Sequence, residues 1–252
     1  MYYWCHAIIA LDWFRFARYE TRKKSVKKTF LVYNRAWSGT REYRLKFAEL
    51  VLESNLLPHC EMTFNAVDND MHYSKHSYKN TAFVVTKNLE CYFDKNQVLP
   101  SASADYDASD YSHCGIEIVL ETLFDDSRLH LTEKTLRPIA CGKPFILAAT
   151  PGSLEYIRSY GFKTFAPWID ESYDNIQNPT KRLEAIVEQM AFVSTLPIDK
   201  KLQLWQNLHL VAEFNKRRFF SKEFFNKVIG EFQANFAKAV KQTQQYRSGW
   251  FY

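Results

Sequence analysis

Two short segments of this 252-residue chain carry residues that could bind a phosphate group. The first, NRAWSGTR at residues 34–41, follows a strand-like run and opens a helical one, so its backbone N–H groups could hold an anion. Arg41 lies in the first helical turn, where its planar guanidinium can donate two parallel hydrogen bonds to a phosphate. Asn34, Ser38 and Arg41 are therefore candidate ligand-binding residues in this loop.

The second segment, TEKTLRPIACGKPFIL at residues 132–147, predicts a helix that starts near Thr132 and ends at Gly142. Its first turn contains Glu133 and Lys134. A lysine is unfavourable there because the helix dipole is positive at that end, so Lys134 predicts an anionic partner. Glu133 is placed to accept hydrogen bonds from ribose hydroxyls, as an acidic residue does in dinucleotide-binding folds.

An alternation of strands and helices would bring these two segments together. Apolar and β-branched runs predict strands at residues 29–34, 115–121 and 144–149. Helical spacing predicts a helix after the first strand and another at residues 153–159. Such alternation indicates a parallel sheet, and α/β proteins bind their ligands at the carboxyl edge of such a sheet.

The stretch between these strands, residues 65–113, is irregular except for one strand predicted at residues 82–85. We expect long loops over a site there. Asp105, Tyr106 and Asp107 form a DxD pattern that suits a hard divalent cation, but a solvated Ser/Ala/Asp loop is the commoner explanation.

The chain divides into three regions on this interpretation. Residues 1–28 form an N-terminal helical segment, with one helix expected from Trp4 to Glu20. Residues 29–178 form an α/β domain. Residues 179–252 form C-terminal helices that pack back on the sheet domain, beginning at the helix-start signal Asn178-Pro179.

Composition predicts a cytoplasmic protein with an anionic partner. The net charge of +5 favours phosphates without forming a concentrated basic block. The five cysteines form no CxxC pair, so the sequence predicts neither a disulfide framework nor a zinc site. Asp12 and Arg15 interrupt the N-terminal apolar stretch too early for a membrane span, so no membrane partner is expected.

The segments NRAWSGTR, IEIVLET, TEK, CGKPFIL and GFKTF together resemble the donor-binding domain of the α1,3-fucosyltransferase family and of related phage-encoded glycosyltransferases of the GT-B type. The resemblance covers roughly residues 29–174. It implies a GT-B-like, Rossmann-type parallel sheet with a reduced N-terminal part on the acceptor side and a helical C-terminus.

The same resemblance implies roles for individual residues. Arg41 and Lys134 would hold the diphosphate of a nucleotide-sugar donor, Glu133 would bind the ribose, and Glu121 would contact the sugar or its neighbourhood. The predicted donor site is Asn34, Ser38, Arg41, Thr132, Glu133 and Lys134.

The implied chemistry is sugar transfer to a hydroxyl. Cations and helix N–H groups would stabilise the departing nucleoside diphosphate, so no metal cofactor is predicted. An inverting reaction also needs a base for the acceptor hydroxyl, and Asp12, Glu20, His6 and His113 are the candidates. Asp12 and Glu121 are the predicted catalytic residues.

The acceptor stays open on sequence grounds. A hydroxymethylated base in double-stranded phage DNA is one acceptor, and it would need to flip out of the stack. A polysaccharide, a lipid-linked glycan or a virion protein is an alternative. The alternative to an enzyme is a non-catalytic nucleotide- or nucleic-acid-binding protein. Residues 214–228, FNKRRFFSKEFFNKV, interleave cations with aromatic rings, a composition that can contact nucleic acid.

Overall fold

The computed structural model describes residues 4–20, 26–93 and 103–248. The strands are β1 (Lys28–Asn34), β2 (Cys60–Phe64), β3 (Val67–Asp68), β4 (Met71–His72), β5 (Cys114–Leu120) and β6 (Phe145–Ala148). The helices are α1 (Cys5–Trp13), α2 (Tyr43–Glu53), α3 (Ala108–His113), α4 (Glu133–Cys141), α5 (Ser153–Ser159), α6 (Pro179–Thr195), α7 (Ile198–Phe219) and α8 (Lys222–Ser248).

Four strands form a parallel sheet in the order β2-β1-β5-β6, and β3 and β4 form a small antiparallel hairpin. From β1 the chain passes through α2 to β2 on one side. It later places β5 on the other side of β1. The connections that leave β1 and β5 therefore run in opposite directions along the sheet. This reversal creates a crevice outside the carboxyl ends of β1 and β5, and α/β proteins bind ligands in such a crevice. β1 and β5 therefore mark the expected ligand position.

The predicted α/β class, with a parallel sheet and a helical C-terminus, is confirmed. The strands predicted at 29–34, 115–121 and 144–149 are β1, β5 and β6, and the helix predicted at 153–159 is α5. The start of α6 also agrees, because the Asn178 side chain caps it by accepting from the Lys181 N–H at 3.0 Å.

Two local predictions are wrong, and one strand of the sheet was missed. Residues 81–83 form a 3-10 turn instead of a strand, because the Asn80 side chain accepts from the Ala82 N–H and bends the backbone. The fourth sheet strand, β2, was not predicted, and it is a five-residue edge strand. The first helix ends at Trp13, and a 3-10 turn over Arg15–Tyr19 follows it.

Helices cover both faces of the sheet. α2 and α6 pack together on one face, and α4 packs on the other beside β5. α7 and α1 contact α4, and α8 contacts both α1 and α7, so these three helices form a layer outside α4. None of the described helices is both long and apolar enough to cross a membrane.

The packing of α7 against the sheet can be tested at Gly115, near the start of β5. A Cβ at this position would lie 2.7 Å from the Trp205 ring of α7 and 3.0 Å from the Thr29 carbonyl oxygen. We therefore expect Gly115→Ala to lower the free energy of unfolding by about 1–3 kcal/mol, measured by urea denaturation.

Gly230→Ala is the matched control, because Gly230 lies inside α8 and a Cβ there meets no atom within 4 Å. This change should stabilise the protein by up to about 1 kcal/mol through helix propensity. Equal effects of the two substitutions would contradict the packing of α7 described here.

Candidate functional site

A cleft with cationic walls, which we name the cation cleft, lies at the carboxyl end of β1 beside the first turns of α4. Its described lining residues are Tyr33, Arg35, Ala36, Arg41, Arg44, Ser103, Asp105, Lys134 and Arg137. Arg41 and Lys134 were predicted from two segments far apart in sequence, and both line this one cleft. It occupies the crevice that the strand order creates between β1 and β5.

Positive charge dominates this lining. Of its described residues, five are arginine or lysine, and Asp105 is the one with a carboxylate. The cavity measures about 50 Å³, which is room for roughly three or four water molecules. The cleft therefore matches a phosphate group in charge and size, and a larger ligand would have to extend beyond it.

The Arg44 side chain connects the loop after β1 with the end of β5. This side chain of α2 is 2% exposed, and its guanidinium donates to the Ala36 carbonyl after β1 at 2.7 Å. It also donates to the carbonyls of Leu120 and Glu121 at the end of β5, at 2.5 and 3.1 Å. Its Nε–H has no hydrogen-bond partner among the described residues. A buried cation bonded to neutral carbonyls, with one donor unsatisfied, favours an anion nearby.

Arg41 is held by its own loop. Its Nε donates to the Ser38 carbonyl at 3.1 Å, and a terminal nitrogen lies 3.4 Å from the Ser38 hydroxyl. Partial burial lowers the pKa of Arg41, and the neighbouring charges of Arg44 and Arg35 lower it further. The guanidinium is still protonated at neutral pH. An anion in the cleft would relieve this repulsion between like charges.

Lys134 and Glu133 form an ion pair in the first turn of α4. The Lys134 ammonium donates to Glu133 Oε1 at 2.6 Å and to Thr132 Oγ1 at 3.2 Å. The same Glu133 oxygen accepts from the Ser103 hydroxyl, and Nδ1 of His6 lies 3.2 Å from its other oxygen. Burial raises the pKa of Glu133, but the contacts with His6, Lys134 and Ser103 outweigh this and lower it.

These contacts change the prediction for Glu133. Its side chain is buried, and protein groups contact both of its oxygens. A ribose hydroxyl would have to displace one of them. The geometry instead makes Glu133 the residue that orients Lys134 toward the cleft.

Glu121, a predicted catalytic residue, is a buried anion at the start of α4. It is fully buried, and its Oε1 accepts from the backbone N–H groups of Thr132 and Thr135 at 2.8 and 3.2 Å. The hydroxyls of both threonines donate to the carboxylate as well, and so does the Thr122 N–H. Glu121 therefore supplies the negative charge that the N-terminus of α4 attracts, and the neutral Thr132 side chain caps the helix by accepting from the Lys134 N–H. With both oxygens filled, Glu121 is not placed to touch a sugar.

The loop after β1 also has an internal anion. The Asp68 carboxylate accepts from the backbone N–H groups of Trp37 and Ser38 at 2.8 and 2.7 Å. Asn69 donates to the Ser38 hydroxyl at 2.8 Å, so the β3–β4 hairpin holds this loop. The prediction that its N–H groups bind an external anion is corrected for these two groups, and Arg35, Ala36 and Arg41 are the residues of the loop that line the cleft.

Two further predicted site residues lie away from the cleft. Asn34 is fully buried and donates to the Arg44 carbonyl at 3.1 Å, so it ties the end of β1 to α2. Asp12 is on α1 with its side chain 76% exposed, and it pairs with Arg15 at 2.9 Å. Its partner Arg15 lies in the 3-10 turn after α1, and such an exposed pair is typical of the protein surface, so the prediction of Asp12 as a catalytic base gains no support from its position.

Sequence reasoning missed Arg137 and its buried network. The Arg137 guanidinium donates to Glu117 of β5 at 2.5 Å and to the Tyr111 hydroxyl at 3.1 Å. It also donates to the Ser103 carbonyl at 2.6 Å and stacks over the Tyr33 ring at 4.8 Å. The available signal was Glu117 itself, a charged residue in a strand whose other residues are all apolar or glycine.

The other candidate bases are also engaged in contacts. His113 ends α3, and its Nδ1 lies 3.1 Å from the Ser109 hydroxyl. Both oxygens of Glu20 accept from the Tyr106 hydroxyl. Of the DxD pattern, Asp107 caps α3 by accepting from the Ser109 N–H at 2.6 Å. Within the described residues, no group of three histidine, cysteine or acidic side chains is placed to hold a metal ion.

Cations of the 214–228 segment tie the C-terminal helices to the body. Arg218 donates twice to the Tyr160 carbonyl, at 3.0 and 3.1 Å. Lys227 donates to the Ser159 carbonyl, and Phe219 and Phe224 are fully buried. The segment therefore contributes packing, which is the commoner role of such a composition.

Comparison with known proteins identified no relative of this chain. No protein-family model matches the chain, no curated protein matches it, and no solved structure matches it.

The role of Glu121 predicts an effect on stability. Glu121→Gln should lower the free energy of unfolding by roughly 2–4 kcal/mol, because an amide NH₂ would face backbone or hydroxyl donors in a buried site. Urea denaturation measures this. The control Asp12→Asn removes an exposed carboxylate and should change stability by less than about 0.5 kcal/mol. Wild-type stability of Glu121→Gln would restore Glu121 as a functional candidate.

Asp68 predicts a dependence on pH. Burial raises the pKa of Asp68, but hydrogen bonds from Ser38 and Trp37 outweigh it, so its pKa is lowered in the folded state. Its charge therefore stabilises the fold above about pH 4, the pKa region of the unfolded chain, and this contribution is lost as the pH falls toward the folded-state pKa.

We expect Asp68→Asn to cost about 1 kcal/mol at pH 7, and we expect the difference from wild type to shrink between about pH 5 and pH 3. Urea denaturation across this range measures both. A difference that stays constant with pH would show that the charge of Asp68 does not hold the loop.

Proposed function

We propose that the protein is a glycosyltransferase that binds the diphosphate of a nucleotide-sugar donor in the cation cleft. One observation carries the proposal: Arg41 and Lys134 line one cationic cleft at the carboxyl ends of neighbouring parallel strands. Ligands of α/β proteins bind at this position, and guanidinium and ammonium groups suit phosphate oxygens.

The chemistry follows from the charge that develops in the reaction. As the sugar leaves, negative charge grows on the β-phosphate, and preorganised cations stabilise that charge in the transition state. In this proposal Arg41 and Lys134 are the groups that do so, with Arg44 behind them. The cations can then perform the charge stabilisation that a metal ion provides in other enzymes.

The assignment to glycosyl transfer also depends on the resemblance of residues 29–174 to GT-B donor domains. The parallel sheet and the C-terminal helices are compatible with such a domain. A hydroxymethylated base in double-stranded DNA is the proposed acceptor, and glycans or proteins are the alternatives.

A second candidate is a nucleotide-binding protein without catalysis. The observation that favours it is the placement of the predicted catalytic carboxylates: Glu121 is buried with both oxygens filled, and Asp12 is exposed on α1. Release of nucleoside diphosphate from a panel of nucleotide sugars, with hydroxymethylated DNA as acceptor, separates the two. Binding without release would favour the non-catalytic protein.

Substitutions in the cleft should weaken donor binding. We expect Arg41→Ala and Lys134→Ala each to reduce the affinity for a nucleoside diphosphate about tenfold or more, because each removes a charged hydrogen-bond donor. Thermal shift with UDP, GDP, ADP and CDP, followed by calorimetry, measures this loss.

Lys87→Ala is the control, since Lys87 is paired with Glu53 at the end of α2 and does not line the cleft. It should bind as wild type does. If wild-type protein binds none of the nucleotides, or if both cleft variants bind as tightly as wild type, the proposed site is wrong.

A further inference from the structure

A second cleft adjoins the cation cleft and has a different character. Its described lining residues are Trp13, Phe14, Ser103, Ala104, Asp105 and Tyr106, and we name it the aromatic cleft. Ser103 and Asp105 line both clefts, so one short stretch of chain forms their common wall. The two clefts are therefore immediate neighbours.

The two clefts differ in size and chemistry. The aromatic cleft measures about 410 Å³ and the cation cleft about 50 Å³. Three of the six residues in the larger cleft have aromatic rings, whereas cations dominate the smaller one. This pairing of a small cationic site with a larger aromatic one matches a molecule with a phosphate group at one end and a flat ring at the other.

Two of the three aromatic rings of this cleft pack against other aromatic rings. Phe14 is 3% exposed, and its ring packs against Tyr106 with a centroid distance of 6.5 Å. The Tyr106 ring packs against Tyr111 at 4.8 Å, and its hydroxyl donates to Glu20. Trp13 differs from both, because 47% of its surface is exposed. An indole presented to solvent at the edge of a cleft gives a flat ligand a face to stack on.

We propose that the aromatic cleft binds the nucleobase of a nucleoside diphosphate, with Trp13 as the stacking residue. The inference rests on the proposed function, because it needs the diphosphate in the cation cleft. A single ribose separates the base from the diphosphate, so a ligand that spans Ser103 and Asp105 places one group in each cleft. Stacking on an aromatic side chain tolerates any base, so the cleft selects a flat ring rather than one nucleotide.

Titration calorimetry with UDP, GDP and inorganic pyrophosphate tests the inference. Trp13→Ala should bind both nucleotides about tenfold more weakly and should bind pyrophosphate as wild type does, because pyrophosphate lacks a base. Trp13→Phe keeps a flat ring and should recover most of the affinity. Phe16→Ala, which removes an aromatic ring that is 66% exposed but does not line the cleft, should bind as wild type does.

The outcomes separate this inference from the proposed function. If pyrophosphate and the nucleotides bind and Trp13→Ala leaves all affinities unchanged, the aromatic cleft does not hold the base, whereas the cation cleft stands. If Trp13→Ala slows sugar transfer without weakening nucleotide binding, the cleft serves the acceptor and the inference is wrong. If wild-type protein binds neither pyrophosphate nor nucleotides, both proposals fail.

Discussion

The hydrogen bonds of the Arg44 guanidinium hold the candidate site together. They link the Ala36 carbonyl in the loop after β1 to the Leu120 and Glu121 carbonyls at the end of β5. These two chain segments come from strands that meet where the direction of the sheet connections reverses. Removing this buried cation would take a hydrogen-bond donor from all three carbonyls, of which that of Glu121 would keep the Tyr43 hydroxyl as a donor.

Internal carboxylates determine which groups remain to bind a ligand. Asp68 accepts from two backbone N–H groups of the loop after β1, and Glu121 accepts from two at the start of α4. In many phosphate-binding folds such N–H groups hold the ligand. Here the protein satisfies these four itself, so an anion in the cleft would be held by the cationic side chains instead.

The sequence predicted local structure better than it predicted partners. β1, β5, β6 and the start of α4 follow from hydrophobic pattern and capping residues within a few positions of each other. The partners of the Glu121 carboxylate lie up to 14 residues away, and Arg137 and Glu117 are 20 apart, so their burial depends on the sheet and not on local pattern. Lys134 was predicted to need an anion, but the adjacent Glu133 was not predicted to be its partner.

A crystal structure with a bound nucleoside diphosphate would locate the donor site. We expect the diphosphate within hydrogen-bonding distance of both the Arg41 guanidinium and the Lys134 ammonium, in the cleft beside β1 and α4. A diphosphate bound elsewhere would contradict it, for example in the groove near Lys143 and Lys216 between the end of α4 and α7.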